Sequence, residues 1–160
     1  MNTQYHNFFI RDWLPQDRQE VVDLIASVLT EYGLGSEPHG ADIDVYEVEK
    51  YYQQTGGEFW VIEQDQQLIG TAGFYPIKRG NRAAEIRKMY LLPPARGKGL
   101  GKFLLFQLEQ TIKQKGFKEI WIETASVLKE AVQLYEHSGY EPTTGVETQR
   151  CDLVYRKIVS

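Results

Sequence analysis

The sequence predicts an α/β (α+β) fold, in which a mixed but mostly antiparallel sheet of six to seven strands is flanked by about four helices. Three apolar runs in the middle of the chain are separated only by short turns, which predicts an antiparallel meander. A long amphipathic segment then leads to a fourth run, and a helical crossover of that kind joins parallel strands. We expect one domain over residues 1–160, because chains of about 100–200 residues usually form a single core.

The first third of the chain predicts one strand and two helical segments. Phe8 to Arg11 has the pattern of a strand, and Asp17 is a candidate N-cap for the helix that follows. A weaker helical pattern covers Asp42 to Gln54. Apolar residues in the first helix recur at spacings of three and four until Gly33, at Val21, Val22, Leu24, Ile25, Val28 and Leu29.

The remaining elements alternate as the fold class requires. The three strands of the meander are predicted at 59–63, 67–75 and 83–92. The strand that follows the crossover helix should pair parallel to the last of these three. After the meander the sequence predicts a helix over 99–114, a strand over 119–124, a helix over 127–137 and a closing strand over 151–158.

Composition argues against membrane and secreted classes. No run of about 18 apolar residues occurs, so no membrane span is expected. The N-terminus lacks the basic-then-apolar pattern of a signal peptide, and a single cysteine fits a reducing compartment, so we expect a cytoplasmic location. That cysteine, Cys151, is expected to pack within the closing strand, because no spacing ties it to a catalytic base.

Charge is distributed unevenly along a chain whose net charge is −4. Residues 78–102 carry eight basic side chains and one acid, whereas residues 31–65 carry nine acids and one lysine. One interpretation is that the basic segment faces an anionic ligand and that the acidic segment forms a flank that binds a cationic one. For the acidic flank, an alternative of equal weight is that the acids lie on ordinary solvated helix surfaces. Nucleic acid is disfavoured as a partner, because the pI is about 5.4 and the basic run coincides with a glycine-rich turn.

The most informative stretch is that turn, which runs from Arg96 to Lys102 and has glycine at every second position. These glycines remove the Cβ atoms that would keep a ligand from the backbone N–H groups, and the helix start adds unpaired donors. Three cations surround a helix start that normally prefers acids, at a cost of about 0.3–1 kcal/mol each unless an anion binds there. The turn is therefore a predicted phosphate-binding loop, the alternative being a flexible basic loop before a surface helix.

Two common phosphate-binding motifs do not fit this loop. The G-x-x-x-x-G-K-[ST] motif would need glycine at position 96 and a hydroxyl at position 103, where this chain has Arg96 and Phe103. The G-x-G-x-x-G motif would need a third glycine at position 102, which is Lys102.

The loop resembles instead the pyrophosphate loop of the GNAT superfamily of acetyl-CoA-dependent N-acetyltransferases. The motif of that family is roughly [RQ]-x-x-G-x-[GA] and appears here from Arg96 to Gly101. The resemblance continues upstream through Glu85 to Leu91, and downstream through Leu134 to Tyr140, which is similar to the family's L-Y-x-x-x-G-[FY] segment. Together these segments cover about half of the chain.

The resemblance implies the GNAT fold, with a V-shaped splay between the fourth and fifth predicted strands and a bulge in the strand through Met89 and Leu91. It implies transfer of an acetyl group from acetyl-CoA to a primary amine of a small molecule, an amino acid or a peptide N-terminus, by direct attack in a ternary complex and without a metal. Candidate cofactor-binding residues are Met89, Tyr90, Leu91, Arg96, Gly97, Lys98, Gly99, Leu100, Gly101, Lys102, Thr124 and Ser126, the last two lying where many relatives carry an asparagine. Candidate acceptor contacts are Tyr32, Asp42, Asp44, Tyr51, Tyr52 and Glu85, with core aromatics and surface acids as the alternative.

Glu85 is the candidate general base, because it is the one acid in the basic segment and the family often places a carboxylate at this point of the strand. The alternative is an ion pair with Arg82 or Arg87 on an exposed face. Strand alternation predicts that Glu85 shares its face with Arg87, Met89 and Leu91.

Tyr135 is the candidate general acid, since members of the family use the tyrosine of this segment to protonate the coenzyme A thiolate. Helical spacing places Tyr135 on a stripe with Leu128, Ala131 and Val132, which predicts that its ring points inward. The alternative is a core tyrosine with a hydrogen-bond partner.

Two further interpretations are compatible with the sequence. One is a non-catalytic acyl-CoA-binding or sensor domain of the same fold, and the other is an acyltransferase that uses a different donor, such as succinyl-CoA. The expected partners are acetyl-CoA and an amine acceptor, with no nucleic acid and no membrane. A monomer and a homodimer are both compatible with the apolar closing strand.

Overall fold

The computed structural model describes residues 1–160 and contains one mixed sheet of eight strands. The strands run in the spatial order β1-β2-β3-β4-β5-β6-β8-β7, and β5 and β6 form the only parallel pair. The predicted mostly antiparallel sheet is confirmed, with more strands than expected. The strands are β1 (Asn2–Tyr5), β2 (Phe8–Asp12), β3 (Glu58–Gln64), β4 (Gln67–Pro76), β5 (Ala83–Leu91), β6 (Glu119–Thr124), β7 (Glu141–Pro142) and β8 (Leu153–Ile158).

Five α-helices accompany the sheet, and none is long and apolar enough to cross a membrane. The weak helix expected over 42–54 is two short helices, because the backbone leaves helical geometry at Glu47, with φ −132° and ψ 54°. The helices are α1 (Arg18–Glu31), α2 (Ile43–Tyr46), α3 (Val48–Tyr51), α4 (Leu100–Gln114) and α5 (Lys129–His137).

Helices cover both faces of the sheet, and this explains why the central strands are apolar runs rather than alternating ones. In β3, Trp60 and Ile62 belong to a core cluster under α4 and α5, whereas Phe59 and Val61 belong to a second cluster under α1, α2 and α3. Each large apolar side chain buried in this way stabilises the fold by roughly 1.5–3 kcal/mol. The sheet thus lies between two helical layers and packs against both.

The predicted splay is present between β5 and β6, which are the fourth and fifth strands of the sequence prediction. Their parallel pairing runs only from Ala83 with Glu119 to Ile86 with Ile122. Beyond Ile86 the β5 edge has no partner in β6, although β5 continues to Leu91. A gap therefore opens in the middle of the sheet.

A β-bulge in β5 lies at the start of this gap. Thr71 pairs with Tyr90 and Gly73 pairs with Arg87, so two residues of β5 oppose one residue of β4. One of the two, Lys88, has a positive φ of 54°. The bulge that the family resemblance implied is thus confirmed.

The bulge corrects the expected orientation of the Glu85 side chain. Met89 and Leu91 pack against the same core cluster as Ile86, so they lie on the face opposite to Glu85. The prediction that Glu85 and Arg87 share a face with Met89 and Leu91 is wrong, because the extra residue of a bulge reverses the alternation beyond it. Glu85 and Met89 therefore approach the gap from opposite faces.

Candidate active site

The loop between β5 and α4 has the backbone that its glycines require. Gly97 and Gly99 have φ values of 73° and 82°, a region that is costly for other residues, and Gly99 is the N-cap of α4. The carbonyl of Lys98 accepts a hydrogen bond of 2.8 Å from the Tyr5 hydroxyl. Strand β1, which supplies Tyr5, thus holds the loop from outside.

The backbone amides of this loop have no partners in the protein. Arg96 N–H donates to the Pro93 carbonyl and Phe103 N–H donates to the Gly99 carbonyl, but no N–H group from Gly97 to Lys102 donates to a protein acceptor. Six consecutive free donors exceed the four of an ordinary helix start, and no acid lies in the first turn of α4. The arrangement suits an anion such as a diphosphate.

A cavity of about 290 Å³, called the cofactor cavity below, lies beside this loop. Of the expected cofactor-binding set, Lys98 is exposed and Leu100 is buried in the core, and neither lines the cavity. Residues of the β5 end, the loop and α5 line it, among them Met89, Tyr90, Leu91, Arg96, Gly97, Gly99, Gly101, Lys102, Leu128, Ala131, Leu134 and Tyr135.

Arg96 lines the cofactor cavity but its guanidinium is bound within the protein. Both terminal nitrogens donate to Glu31, at 2.6 and 2.9 Å, and Nε donates to the Leu91 carbonyl at 3.0 Å. The guanidinium lies 5.3 Å from the centre of the Tyr32 ring, and Tyr32 itself lines the cofactor cavity. The structure thus places Tyr32, which we expected at the acceptor, on the cofactor side.

The two residues whose hydroxyls were expected to contact the pantetheine arm lie outside the cofactor cavity. Thr124 is buried, and Ser126 binds both oxygens of Asp152 through its backbone N–H and its hydroxyl, at 2.7 and 2.6 Å. Neither residue lines the cofactor cavity. Apolar side chains of α5, such as Ala131, line its wall instead.

A second cavity of about 50 Å³, the inner cavity, occupies the gap between β5 and β6. It shares Met89, Tyr90 and Tyr135 with the cofactor cavity, so the two adjoin at these residues. Its other lining residues include Glu85, Arg87, Lys88, Glu123, Thr148, Arg150 and Cys151.

Tyr135 lies where the two cavities adjoin and is 4% exposed, as its predicted inward orientation requires. Its ring packs near Tyr140 and Tyr155, and its hydroxyl makes no hydrogen bond to the protein. Burial first, and then the nearby Tyr90 and Cys151, raise the pKa of this phenol above its usual 10.0. Tyr135 is therefore protonated at neutral pH and has a proton to donate.

Glu85 lines the inner cavity from the opposite face and is 5% exposed. Its carboxylate lies 3.2 Å from Arg87 and 3.7 Å from Arg79. Burial raises the pKa of Glu85 and the charge of Glu123 adds to this rise, whereas the two arginines oppose it. The alternative, an ion pair of Glu85 on an exposed face, is wrong because Glu85 is buried. Glu85 does pair with Arg87, but it does not pair with Arg82.

A groove of about 370 Å³, the outer groove, adjoins the inner cavity at Arg87 and Thr148. Among the expected acceptor contacts, Asp44 and Tyr51 line this groove. Its other lining residues include Glu37, Gly40, Ala41, Tyr75, Glu147 and Gln149.

Asp42 and Tyr52, also expected at the acceptor, lie behind the groove wall. Asp42 is 1% exposed, and it binds Arg150 through both oxygens and Lys88 at 3.3 Å. Tyr52 is fully buried and donates its hydroxyl hydrogen bond to Asp44. Both residues hold the groove in shape rather than contact what enters it.

The loop between β7 and β8 was missed as part of the site, because its sequence has no periodic pattern. It supplies Thr148, Arg150 and Cys151 to the inner cavity. Cys151 precedes β8, so the expectation that it packs within the strand is wrong. No group of three or more potential metal ligands occurs in the structure.

Comparison with known proteins gives the class to which this fold and site belong. The family model described as the acetyltransferase (GNAT) family matches residues 22–140. The chain is 37% identical over 129 residues to the uncharacterized N-acetyltransferase YjgM of Escherichia coli K12, which covers 79% of this chain and 77% of that protein. The chain belongs to the GNAT family, and its enzyme class is N-acetyltransferase.

Solved structures with this fold include two that match nearly the whole chain. A GNAT acetyltransferase of Staphylococcus aureus has a TM-score of 0.86 at 19% identity, covering 96% of this chain and 99% of that chain. YncA of Salmonella typhimurium, solved with its cofactor acetyl-CoA, has a TM-score of 0.74 at 19% identity, covering 97% and 95%. At this level of identity both comparisons show the fold.

Proposed function

We propose that the protein transfers an acetyl group from acetyl-CoA to a primary amine by direct attack within a ternary complex. The observation that carries the proposal is that Tyr135 lines both the cofactor cavity and the inner cavity, while Glu85 lines the inner cavity from the other face. A proton donor and a proton acceptor thus flank the small space in which two substrates would meet.

The residues of the cofactor cavity fit a diphosphate carried on a long amide-containing arm. The free N–H groups from Gly97 to Lys102 would bind the diphosphate, and the unpaired β5 edge beyond Ile86 would bind the amides. When bound, acetyl-CoA supplies the activated acyl group as a thioester. The exposed cations at Lys98 and Lys102 add attraction for the anion.

The acceptor amine would enter through the outer groove, on the Glu85 side. Glu85 takes a proton from the amine, directly or through a water molecule, and a raised pKa suits a general base because it lies closer to neutral pH. Tyr135 gives its proton to the departing sulfur. Tyr51, Tyr75 and the carboxylates of Glu37 and Glu147 make the groove suitable for a cation.

The test is release of free coenzyme A from acetyl-CoA with a panel of amines, amino acids, polyamines and peptides. Glu85→Gln and Tyr135→Phe should each lower kcat by about 100-fold or more, because proton transfer by a positioned group contributes that much. Their affinity for coenzyme A, measured by calorimetry, should not change. Tyr155→Phe is the matched control, because its hydroxyl bonds to Glu136 rather than lining either cavity.

Two outcomes would contradict the proposal. Wild-type protein that binds acetyl-CoA but releases no coenzyme A with any acceptor would favour the non-catalytic binding domain. Variants at Glu85 and Tyr135 that turn over like the wild type would remove both residues from the chemistry.

A further inference from the structure

Arg79, in the turn between β4 and β5, joins four separate groups near the candidate base. Nη2 lies 2.6 Å from Glu123 and 3.7 Å from Glu85, and Nη1 lies 3.2 Å from Glu147 and donates to the Gly145 carbonyl. The guanidinium also stacks on the Trp121 ring, at 4.6 Å from its centre. All five polar hydrogens of an arginine are directed in a fixed plane, so this position is well defined.

Two of these groups belong to the loop at residues 143–150, which forms a wall of the outer groove. Glu123 fastens the same loop, because it accepts hydrogen bonds from the backbone N–H groups of Glu147 and Thr148. Thr148 in turn lines both the outer groove and the inner cavity. The position of the loop and the position of Arg79 are therefore linked.

The other cation beside Glu85 does not depend on this loop. Arg87 is held by the Tyr75 hydroxyl at 2.9 Å and by the Ala41 carbonyl at 3.1 Å. These partners lie in β4 and before α2, so the position of Arg87 does not depend on the loop. Of the two arginines at Glu85, only Arg79 also binds the loop, through Gly145 and Glu147.

We propose that Arg79 is a positioning residue that couples the seating of residues 143–150 to the charge state of Glu85. With the loop seated over an acceptor, its Gly145 carbonyl and Glu147 help to hold the guanidinium against Glu85, and the charge of Arg79 keeps this carboxylate ionised. With the loop displaced, only Glu123 and Trp121 hold Arg79, and its guanidinium is free to turn away from Glu85. The inference rests on the proposed role of Glu85 as general base. Arg79 itself would not contact the substrate.

Every charged or titratable group that faces Glu85 enters this balance. Arg79 and Arg87 favour its ionised form, and Glu123 opposes it. The other charged or titratable groups that line the two cavities onto which Glu85 opens are Tyr75, Lys78, Lys88, Tyr90, Tyr135, Glu147, Arg150 and Cys151. Removal of Arg79 would leave Glu123 without its cation as well, so both effects favour protonated Glu85.

The test is the pH dependence of kcat at saturating substrates. Turnover requires ionised Glu85, so in Arg79→Gln the acidic limb of the profile should move to higher pH by about 1 unit, the usual effect of a cation at this distance. The acceptor KM should rise, while the Kd of acetyl-CoA should stay the same. Arg82→Gln is the control, because Arg82 is exposed in the same turn and makes no ion pair with Glu85.

Arg79→Lys separates charge from positioning. A lysine keeps a positive charge but cannot bind Glu123 and the loop carbonyl together, so the acidic limb should return towards the wild-type pH while the acceptor KM stays raised. If Arg79→Gln fails to fold in a thermal unfolding assay, Arg79→Lys decides alone, and a KM equal to that of the wild type overturns the coupling.

Failure of the inference can be told from failure of the proposed function. If Glu85→Gln abolishes the acidic limb but Arg79→Gln leaves it in place, the coupling is wrong and the base assignment survives. If Glu85→Gln leaves the limb unchanged, Glu85 is not the base and both proposals fall.

Discussion

Cys151 lines the inner cavity beside Tyr135, where a thiol could compete with an amine for the acyl group. The thiolate rather than the thiol is nucleophilic, and burial together with the charge of Glu123 raises the pKa of Cys151 to about 11. The thiol is therefore protonated at neutral pH, which favours direct attack by the amine.

We expect Cys151→Ser to keep its kcat within about threefold of the wild type, because no step requires the sulfur. The measurement is coenzyme A release with the best acceptor of the panel. Loss of turnover in this variant, together with an acetyl adduct on Cys151 detected by mass spectrometry, would instead establish an acyl-enzyme.

Asp42 was expected to contact the acceptor, but it is buried and stabilises the fold through ion pairs instead. Burial alone would raise the pKa of Asp42, but hydrogen bonds from Arg150 and the charge of Lys88 outweigh burial and lower the pKa to about 2. Because this folded value lies below the ordinary 3.8, the stabilisation is complete above pH 3.8 and is lost as the pH falls towards 2.

We predict that Asp42→Asn lowers the free energy of unfolding at pH 7 by about 3–5 kcal/mol, since it leaves the buried Lys88 charge with fewer partners. Urea unfolding gives the value. Asp23→Asn, on the exposed surface of α1, should change it by less than about 0.5 kcal/mol. A loss at position 42 as small as that of the control would show that the buried network does not stabilise the fold.

At the scale of elements, the glycines at the start of α4 have two different roles. Two are required by the backbone conformation, and the third leaves space for a ligand. Gly97 and Gly99 have positive φ, whereas Gly101 has ordinary helical geometry. A Cβ at position 101 would lie 3.5 Å from Leu134, which is a normal contact, so the protein itself accommodates alanine. Gly101 nevertheless lines the cofactor cavity, where a methyl group would stand in the ligand's space.

Gly101→Ala should therefore weaken acetyl-CoA binding roughly tenfold, or about 1.4 kcal/mol, without loss of stability. Its thermal unfolding midpoint should stay equal or rise, because alanine favours a helix over glycine. Gly35→Ala, in an exposed loop with open space around its Cβ, is the control. Unchanged affinity of Gly101→Ala would remove this turn from the cofactor site.

The elements themselves were predictable where apolar periodicity was strong. Six strands and the long helices follow from apolar runs and apolar periodicity. In contrast, β1 has the sequence Asn-Thr-Gln-Tyr and β7 has two residues, so neither has an apolar signal. The family resemblance implied the bulge. Its effect on Glu85 and Met89 was missed, because strict alternation was assumed through a strand that contains an extra residue.

At the scale of the molecule, the basic and acidic segments of the chain form ion pairs with each other in the fold. Arg96 of the basic segment binds Glu31 of the acidic one, and Lys88 binds Asp42 and Asp44. These partners are far apart in sequence, so spacing could not reveal them. Most acids of the acidic flank therefore form ion pairs within the fold, and Glu37 and Asp44 also line the outer groove. The rest of the groove wall includes a loop whose sequence has no periodic pattern.

The three cavities together form a path through the gap in the sheet. The cofactor cavity lies at the α4 and α5 side, the inner cavity lies between β5 and β6, and the outer groove lies towards α2 and α3. The first two share Tyr135, and the last two share Arg87 and Thr148. In the proposed mechanism donor and acceptor would therefore enter from opposite faces and be bound at the same time, as direct attack requires.

The most direct test of the account is a nuclear magnetic resonance titration of the ¹⁵N-labelled protein with coenzyme A and, separately, with pantetheine, which lacks the diphosphate. We predict that the amide resonances from Gly97 to Lys102 shift strongly with coenzyme A and remain in place with pantetheine. Binding of coenzyme A that leaves these six resonances unmoved would contradict the assignment of the loop as the diphosphate site.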